Sequence, residues 1–193
     1  MNKKMEASQA TIGQLMTVSR ALFTEKGYNK TSLEEIVDTI GMTRGALYHH
    51  YKNKKELFRA VLLQIQEEIG QKVAKEATQS DDLWEQLVVG SITFVKEACK
   101  PDVRQILLVD GPSIIGWQDW REMDEGHSQH HLQQQLELLQ ENGILQTLDC
   151  RFMTALISGG LNELALCLAE QETTVLDLEK LIRRQLEGFR KYG

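Results

Sequence analysis

Between residues 43 and 54 the chain gathers side chains able to read and grip a polyanion. Thr43, Arg44, Gly45, Tyr48 and His49 crowd into a short run. Arg44 can donate two hydrogen bonds to the edge of a guanine or hold a phosphate, and Gly45 lets a backbone approach closely. Thr31 and Lys54 fall where two helices are expected to begin. Free amides at helix N-termini attract phosphate, so both read as phosphate anchors. A second group lies further on, where Asp124, His127 and His131 stand at offsets 0, 3 and 7 with His130 beside them. On a helix those spacings share a face, and imidazole with carboxylate suits zinc or another divalent ion, so a metal-responsive role stands as an alternative. The neighbours Ser128, Gln129, Gln133, Gln134 and Gln135 are polar, which equally describes a solvated face, and no resident metal or other cofactor is expected.

Catalytic constellations are missing from the sequence. It has no glycine-rich phosphate loop, no His-Glu-x-x-His and no Gly-x-Ser-x-Gly elbow. A carboxylate di-metal bundle would need paired Glu-x-x-His motifs, and Asp124-x-x-His127 merely approximates one. The chain is not expected to be an enzyme.

The elements that must position these residues read as helices, with no convincing strand. Two prolines in 193 residues fit an all-α chain. Ile12, Leu15, Met16, Leu22 and Phe23 recur at helical spacing up to Lys26-Gly27, where glycine can take a left-handed conformation. Thr31 and Ser32 precede Glu34 and Glu35, giving two overlapping capping registers for a short helix through Leu33, Ile36, Val37 and Ile40, which Gly41 ends. Thr43 caps the next, through Leu47 and Tyr48, and Asn53 with Glu56 caps a fourth bearing Leu57, Phe58, Val61, Leu62 and Ile65. Two short helices joined through a glycine turn are the sequence form of a helix-turn-helix, whose second helix fits the major groove. Periodicity alone leaves open a plain three-helix core in which Tyr48, Tyr51 and the histidines are merely packed or solvated.

The run Ala21-Leu22-Phe23-Thr24-Glu25-Lys26-Gly27-Tyr28, then Thr31 to Ile36, then Gly41 to Leu57 with its Leu-Tyr-x-His-aromatic-x-Asn-Lys-x-x-Leu pattern, resembles the DNA-binding domain of TetR-type transcriptional regulators. The resemblance is strong over about residues 12–60. It implies that Thr43, Arg44, Gly45, Tyr48, His49 and His50 face the groove or phosphates, that Thr31 starts the supporting helix, and that Lys54 grips phosphate. Tyr51 replaces a commoner Phe and is assigned to the core. Ala46 is small and apolar, and offers at most a methyl contact to thymine.

Charge is divided in keeping with that resemblance. Residues 1–60 carry +4 and residues 61–193 carry −10. A basic N-terminal third can touch DNA locally while an acidic body discourages sequence-independent coating. No secretory signal is visible, the run from Phe152 to Ala169 is interrupted by Glu163, and three cysteines show no CxxC spacing. A cytoplasmic chain with no membrane partner is expected.

The division expected is a helix-turn-helix domain over residues 8–68 and a larger helical domain over 69–193, which the resemblance makes an effector-binding and dimerisation domain. Asp81 or Asp82 caps a helix bearing Leu83, Trp84, Leu87 and Val88. Pro101 opens another, Val103 to Asp110, that Gly111-Pro112 should break, and a long polar helix runs from about Gln118 to Asn142. From Asp149 to about Ala169 nearly every face is apolar, with Ser158, Gly159 and Gly160 allowing close helix approach, and the final helix carries one apolar stripe. Phe152, Leu156, Gly159, Gly160, Leu164, Leu178, Leu181, Ile182 and Phe189 are therefore the expected homodimer contacts. Trp84, Phe94, Leu107, Trp117, Trp120, Met123 and His127 are the expected lining of an effector pocket for a small apolar or aromatic molecule. The function these readings imply is a ligand-responsive repressor, dimeric on a palindromic double-stranded operator.

Overall fold

Glycine and capping residues set where the chain turns in the computed structural model, which describes residues 3–125, 128–169 and 175–191. Helix α1 (Lys3–Lys30) is interrupted at Gly27, whose φ of 75° and ψ of 164° lie outside the helical region. A side chain there would be strained, so glycine lets the chain kink before Tyr28. Helix α2 (Leu33–Thr39) starts at Ser32, whose Oγ accepts from the Glu35 amide. Of the two overlapping registers, the chain uses that of Ser32. The Glu35 carboxylate turns away from the cap and pairs with Lys26 of α1. Helix α3 (Arg44–His50) begins after Gly41 (φ 65°) with Thr43 Oγ1 accepting from the Ala46 amide. Helix α4 (Lys54–Ala77) opens with a reciprocal cap. Asn53 accepts from the Glu56 amide, and Glu56 accepts from the Lys52 amide.

The chain divides into two compact units. One runs to Ile65 and adds Pro101–Trp120; the other joins Gln66–Lys100 to the rest of the chain from Arg121. The two-part division of the sequence had assigned Pro101–Trp120 to the second part. In the first unit Leu15, Phe23, Ile36, Val37, Leu47, Leu57 and Phe58 are buried together. Burying each such side chain contributes about 1.5–3 kcal/mol. Phe23, Tyr28 and Phe58 form an aromatic cluster with centroids 5.1–5.9 Å apart.

Helix α6 (Pro101–Arg104) continues through a π-helical segment (Gln105–Asp110) into α7 (Gly111–Ile115). The break expected at Gly111-Pro112 is therefore displaced to Gly116, at φ 101°. The wider turn explains why: the Gly111 amide bonds back to the Ile106 carbonyl, and Pro112 falls in the first turn of α7, where its missing N–H costs no bond. Glycine is required at 111 because a Cβ there would stand 2.9 Å from the Ile106 carbonyl oxygen and 3.0 Å from the Trp120 ring. The segment is tied to α1. The Tyr28 amide donates to Asp110 Oδ2 at 2.8 Å, and Arg20 pairs with Asp102 at 3.0 Å.

The second unit contains the later part of α4, α5 (Leu83–Ala98), α9 (Ser128–Glu141), α10 (Cys150–Leu168) and α11 (Val175–Glu187), with the end of α8 (Trp117–Glu125). The long polar helix is described as α8 and α9; residues 126 and 127 lie outside the described residues. Asp82 and Asp149 cap α5 and α10. Arg183 on α11 holds Glu85 on α5 through two bonds of 2.7 and 2.8 Å, and pulls that carboxyl below its ordinary value. Among the described residues, no helix is long and apolar enough to cross a membrane.

Candidate nucleic-acid interface and effector cavity

Helix α3 is amphipathic within seven residues. Leu47 turns into the core, while Thr43, Arg44, Gly45, Tyr48 and His49 are exposed and His50 is half-buried. Tyr48 leaves half of its surface, 51%, to solvent, although a Tyr of this kind usually finds cover. His49 and His50 meet edge to face at 5.4 Å. An exposed face of one cation, two hydroxyls, a bare backbone position and imidazole can donate to base edges and phosphates. Arg44 is held on the surface by Glu34 of α2 at 3.1 Å. This acidic neighbour was not singled out from the sequence, although its position beside Glu35 in a capping register was visible.

The two anchors are placed differently from their sequence description. Thr31 is 2% exposed, and its hydroxyl donates to the Leu22 and Gly27 carbonyls. The side chain at the α2 start is instead that of Ser32. Lys54 donates to the Tyr28 and Thr31 carbonyls at 2.8 and 2.9 Å, with its ammonium 4.1 Å from the Tyr28 ring centre. Burial pulls its pKa below the ordinary lysine value. Two of its three protons are thus committed to the end of α1. Tyr51 is half-buried, its hydroxyl 3.4 Å from Met16 Sδ.

In the second unit α10 shows two faces. Met153, Thr154, Ile157, Ser158, Leu161 and Ala165 are buried, while Phe152 and Leu156 are 69% and 65% exposed. On α11, Leu181 is 54% exposed. Of the expected dimer contacts, Phe152, Leu156, Gly159 and Leu181 lie open, and Gly160, Leu164 and Phe189 are half-buried. Leu178 and Ile182 are the exceptions: at 4% and 0% exposed they belong to the core of their own chain. The apolar residues of α10 thus divide between an inner and an outer face. The two glycines divide likewise. A Cβ on Gly159 would meet nothing within 4 Å, whereas one on Gly160 would stand 2.6 Å from Gln185 Nε2 of α11.

A cavity of about 340 Å³ lies among α4, α5, α9, α10 and the end of α8. Ile69, Val73, Leu87, Phe94, Leu132 and Leu161 give it apolar walls, and Gly90 lets α5 approach α4, its Cβ position 3.4 Å from Val73 Cγ1. Of the expected effector residues, Phe94 lines it. Leu107, Trp117 and Trp120 belong to the other unit, Trp120 donating to the Leu107 carbonyl. Trp84 is buried beneath the Arg190 guanidinium, Met123 is buried off the wall, and His127 lies outside the described residues. Aromatic content marked these residues, but most of them build core. Missed instead were small residues, Gly70, Ala74, Ala77 and Gly90, which make room by lacking bulk.

The metal alternative gains no support. Asp124 Oδ2 accepts from the Gln129 amide at 2.9 Å, and both Asp124 and His131 line the cavity. His130 is exposed. Among the described residues no group of three His, Cys, Asp or Glu is placed to hold a metal ion.

Comparison with known proteins agrees with this geometry. A family model described as tetracyclin repressor-like, C-terminal domain, matches residues 84–187, more than half of the chain. A second, for bacterial regulatory proteins of the tetR family, matches residues 15–61. The chain is 44% identical over 59 residues to the transposon Tn10 TetC protein of Escherichia coli, covering 31% of this chain and 30% of that protein. It is 39% identical over 59 residues to the HTH-type transcriptional regulator AcrR of Shigella flexneri, covering 31% and 27%. The chain thus spans under a third of the length of these curated relatives. A solved TetR-family transcriptional regulator from Pectobacterium atrosepticum superimposes with a TM-score of 0.78 at 25% identity, over 100% of this chain and 99% of the other. The fatty acid degradation regulator FadR of Bacillus halodurans shares the fold, with a TM-score of 0.78 at 18% identity over 91% and 93%.

Proposed function

The chain belongs to the TetR family of bacterial regulatory proteins, and on that premise we propose that it is a homodimeric, sequence-specific DNA-binding repressor released from its operator by a small molecule. Residues 8–68 form the DNA-binding part and 69–193 the effector-binding and dimerisation part. The protein acts by binding in the cytoplasm and performs no catalysis.

The observation that carries this reading is the exposed face of α3. Thr43, Arg44, Gly45, Tyr48 and His49 stand outward on a helix whose other side is anchored by Leu47. Such a helix enters the major groove with its first residues at base edges. Thr31 and Lys54 fix the entry to α2. Two copies joined through Phe152, Leu156, Gly159 and Leu181 would carry two such helices, about 34 Å apart, onto the halves of an inverted repeat. The cavity supplies the effector site. A molecule that binds better to a form with wrongly spaced recognition helices lowers operator affinity by the same coupling factor.

Selection of the purified full chain against a pool of random duplexes tests the reading. The expected result is enrichment of one inverted-repeat sequence, and a pool with no enriched sequence at modest ionic strength overturns it.

A further inference from the structure

The buried and half-buried polar side chains on the cavity wall have partners within the chain, with one exception. Asp124 accepts from the Gln129 amide at 2.9 Å. The Gln86 and Gln135 amides donate to the Ser80 and Leu83 carbonyls at 2.8 and 3.0 Å. The Ser91 hydroxyl donates to the Leu87 carbonyl at 2.8 Å, which is how a serine inside a helix commonly places its proton. Ser158 on α10 does not follow it. This residue borders the cavity and is 8% exposed, and its hydroxyl has no hydrogen-bond partner among the described residues.

We propose that Ser158 donates a hydrogen bond to the effector, and that the effector is a small uncharged molecule with an apolar body and one carbonyl oxygen. The proposal rests on the effector reading of the same cavity. A buried hydroxyl without a partner is costly, and an acceptor on the ligand removes that cost. A carbonyl oxygen takes the proton and brings no donor of its own that would need a partner. A hydrocarbon would fill the space and leave the hydroxyl against apolar surface. The described wall includes no Lys or Arg, and its imidazole, His131, is exposed to solvent. A carboxylate head beside Ser158 would therefore be buried without a cation. The volume of about 340 Å³ lies near the lower end for small-molecule sites, which suits a body of one ring or a short chain.

Calorimetric titration of the full chain and of Ser158→Ala with benzylacetone, butylbenzene and hydrocinnamate tests the assignment. The three share a phenylethyl body and offer a ketone, a hydrocarbon and a carboxylate. Alanine suits a helix interior and removes only the hydroxyl, so the variant is expected to fold. It is expected to bind benzylacetone about fivefold more weakly than the unaltered chain and butylbenzene no more weakly, with hydrocinnamate the weakest ligand of the unaltered chain. Equal effects of Ser158→Ala on ketone and hydrocarbon overturn the role of Ser158 and leave the effector cavity standing. Hydrocinnamate binding as tightly as benzylacetone overturns the uncharged class. Absence of binding by all three overturns both readings.

Discussion

The Arg44 guanidinium on α3 lies 3.1 Å from the Glu34 carboxylate on α2, with both side chains open to solvent. An exposed pair of this kind is worth under about 1 kcal/mol, so a phosphate or guanine displaces it readily. While unbound, Glu34 competes with every phosphate for Arg44. Glu34→Gln is therefore expected to raise affinity for random duplex up to about fivefold, with a smaller gain on the selected operator. Parallel salt titrations on both duplexes measure it, and equal gains on both remove Glu34 from any role in discrimination.

Arg44→Ala separates the two uses of the same side chain. A guanidinium that reads a base costs about 1–3 kcal/mol of specific binding when removed, with relaxed preference at one operator position. A uniform loss on all duplexes marks a phosphate contact instead.

Thr31→Val tests a residue that the sequence placed at the phosphates and the structure turns inward. The change removes the donor serving the Leu22 and Gly27 carbonyls. It is expected to lower stability by about 1–2 kcal/mol in urea unfolding while the salt slope of DNA binding stays unchanged. A slope smaller by about one, with stability intact, would restore Thr31 to the interface.

These two residues illustrate what was legible. Caps depend on local chemistry, so Thr43 and Asn53 are read directly and are found capping, and of Asp81 and Asp82 the chain uses Asp82. Arg44 and Thr31 have equally clear types, but which way a side chain turns depends on tertiary neighbours such as the carbonyl of Leu22. The same limit applies to α11. Its stripe announced that Leu178, Leu181 and Ile182 share an apolar character, yet which of them meets its own α10 and which remains outside is decided by packing. The cavity was least legible, because its walls are marked by small residues whose contribution is space.

Gly159→Trp exploits the difference between the adjacent glycines. Nothing in its own chain lies within 4 Å of a Cβ at 159. The substitution should therefore leave the subunit folded, with unaltered circular dichroism, and block the approach of a second copy. Sedimentation is expected to give a monomer; an intact dimer would move the interface off this face of α10.

Glu85→Gln reports on the bond between α5 and α11. Hydrogen bonding from Arg183 holds the Glu85 carboxyl below its ordinary 4.5. A depressed carboxylate contributes stability that is present above pH 4.5 and lost as pH falls through the lower folded value. The pair is about one-third exposed, so the contribution is about 1 kcal/mol or less. At pH 7 the variant should unfold at lower urea than the unaltered chain, and the difference should close below pH 4.5. A difference that persists in acid would assign the effect to packing.

The end of α1 is fastened twice, by Asp110 on the Tyr28 amide and by Lys54 on the Tyr28 and Thr31 carbonyls. The first fastening hangs from a π turn, whose bond pattern departs from that of the regular helices on either side. Without Asp110 the Tyr28 amide loses the acceptor that holds it. The link into α2 is thus tied to a carboxylate 82 positions downstream of Tyr28 in sequence.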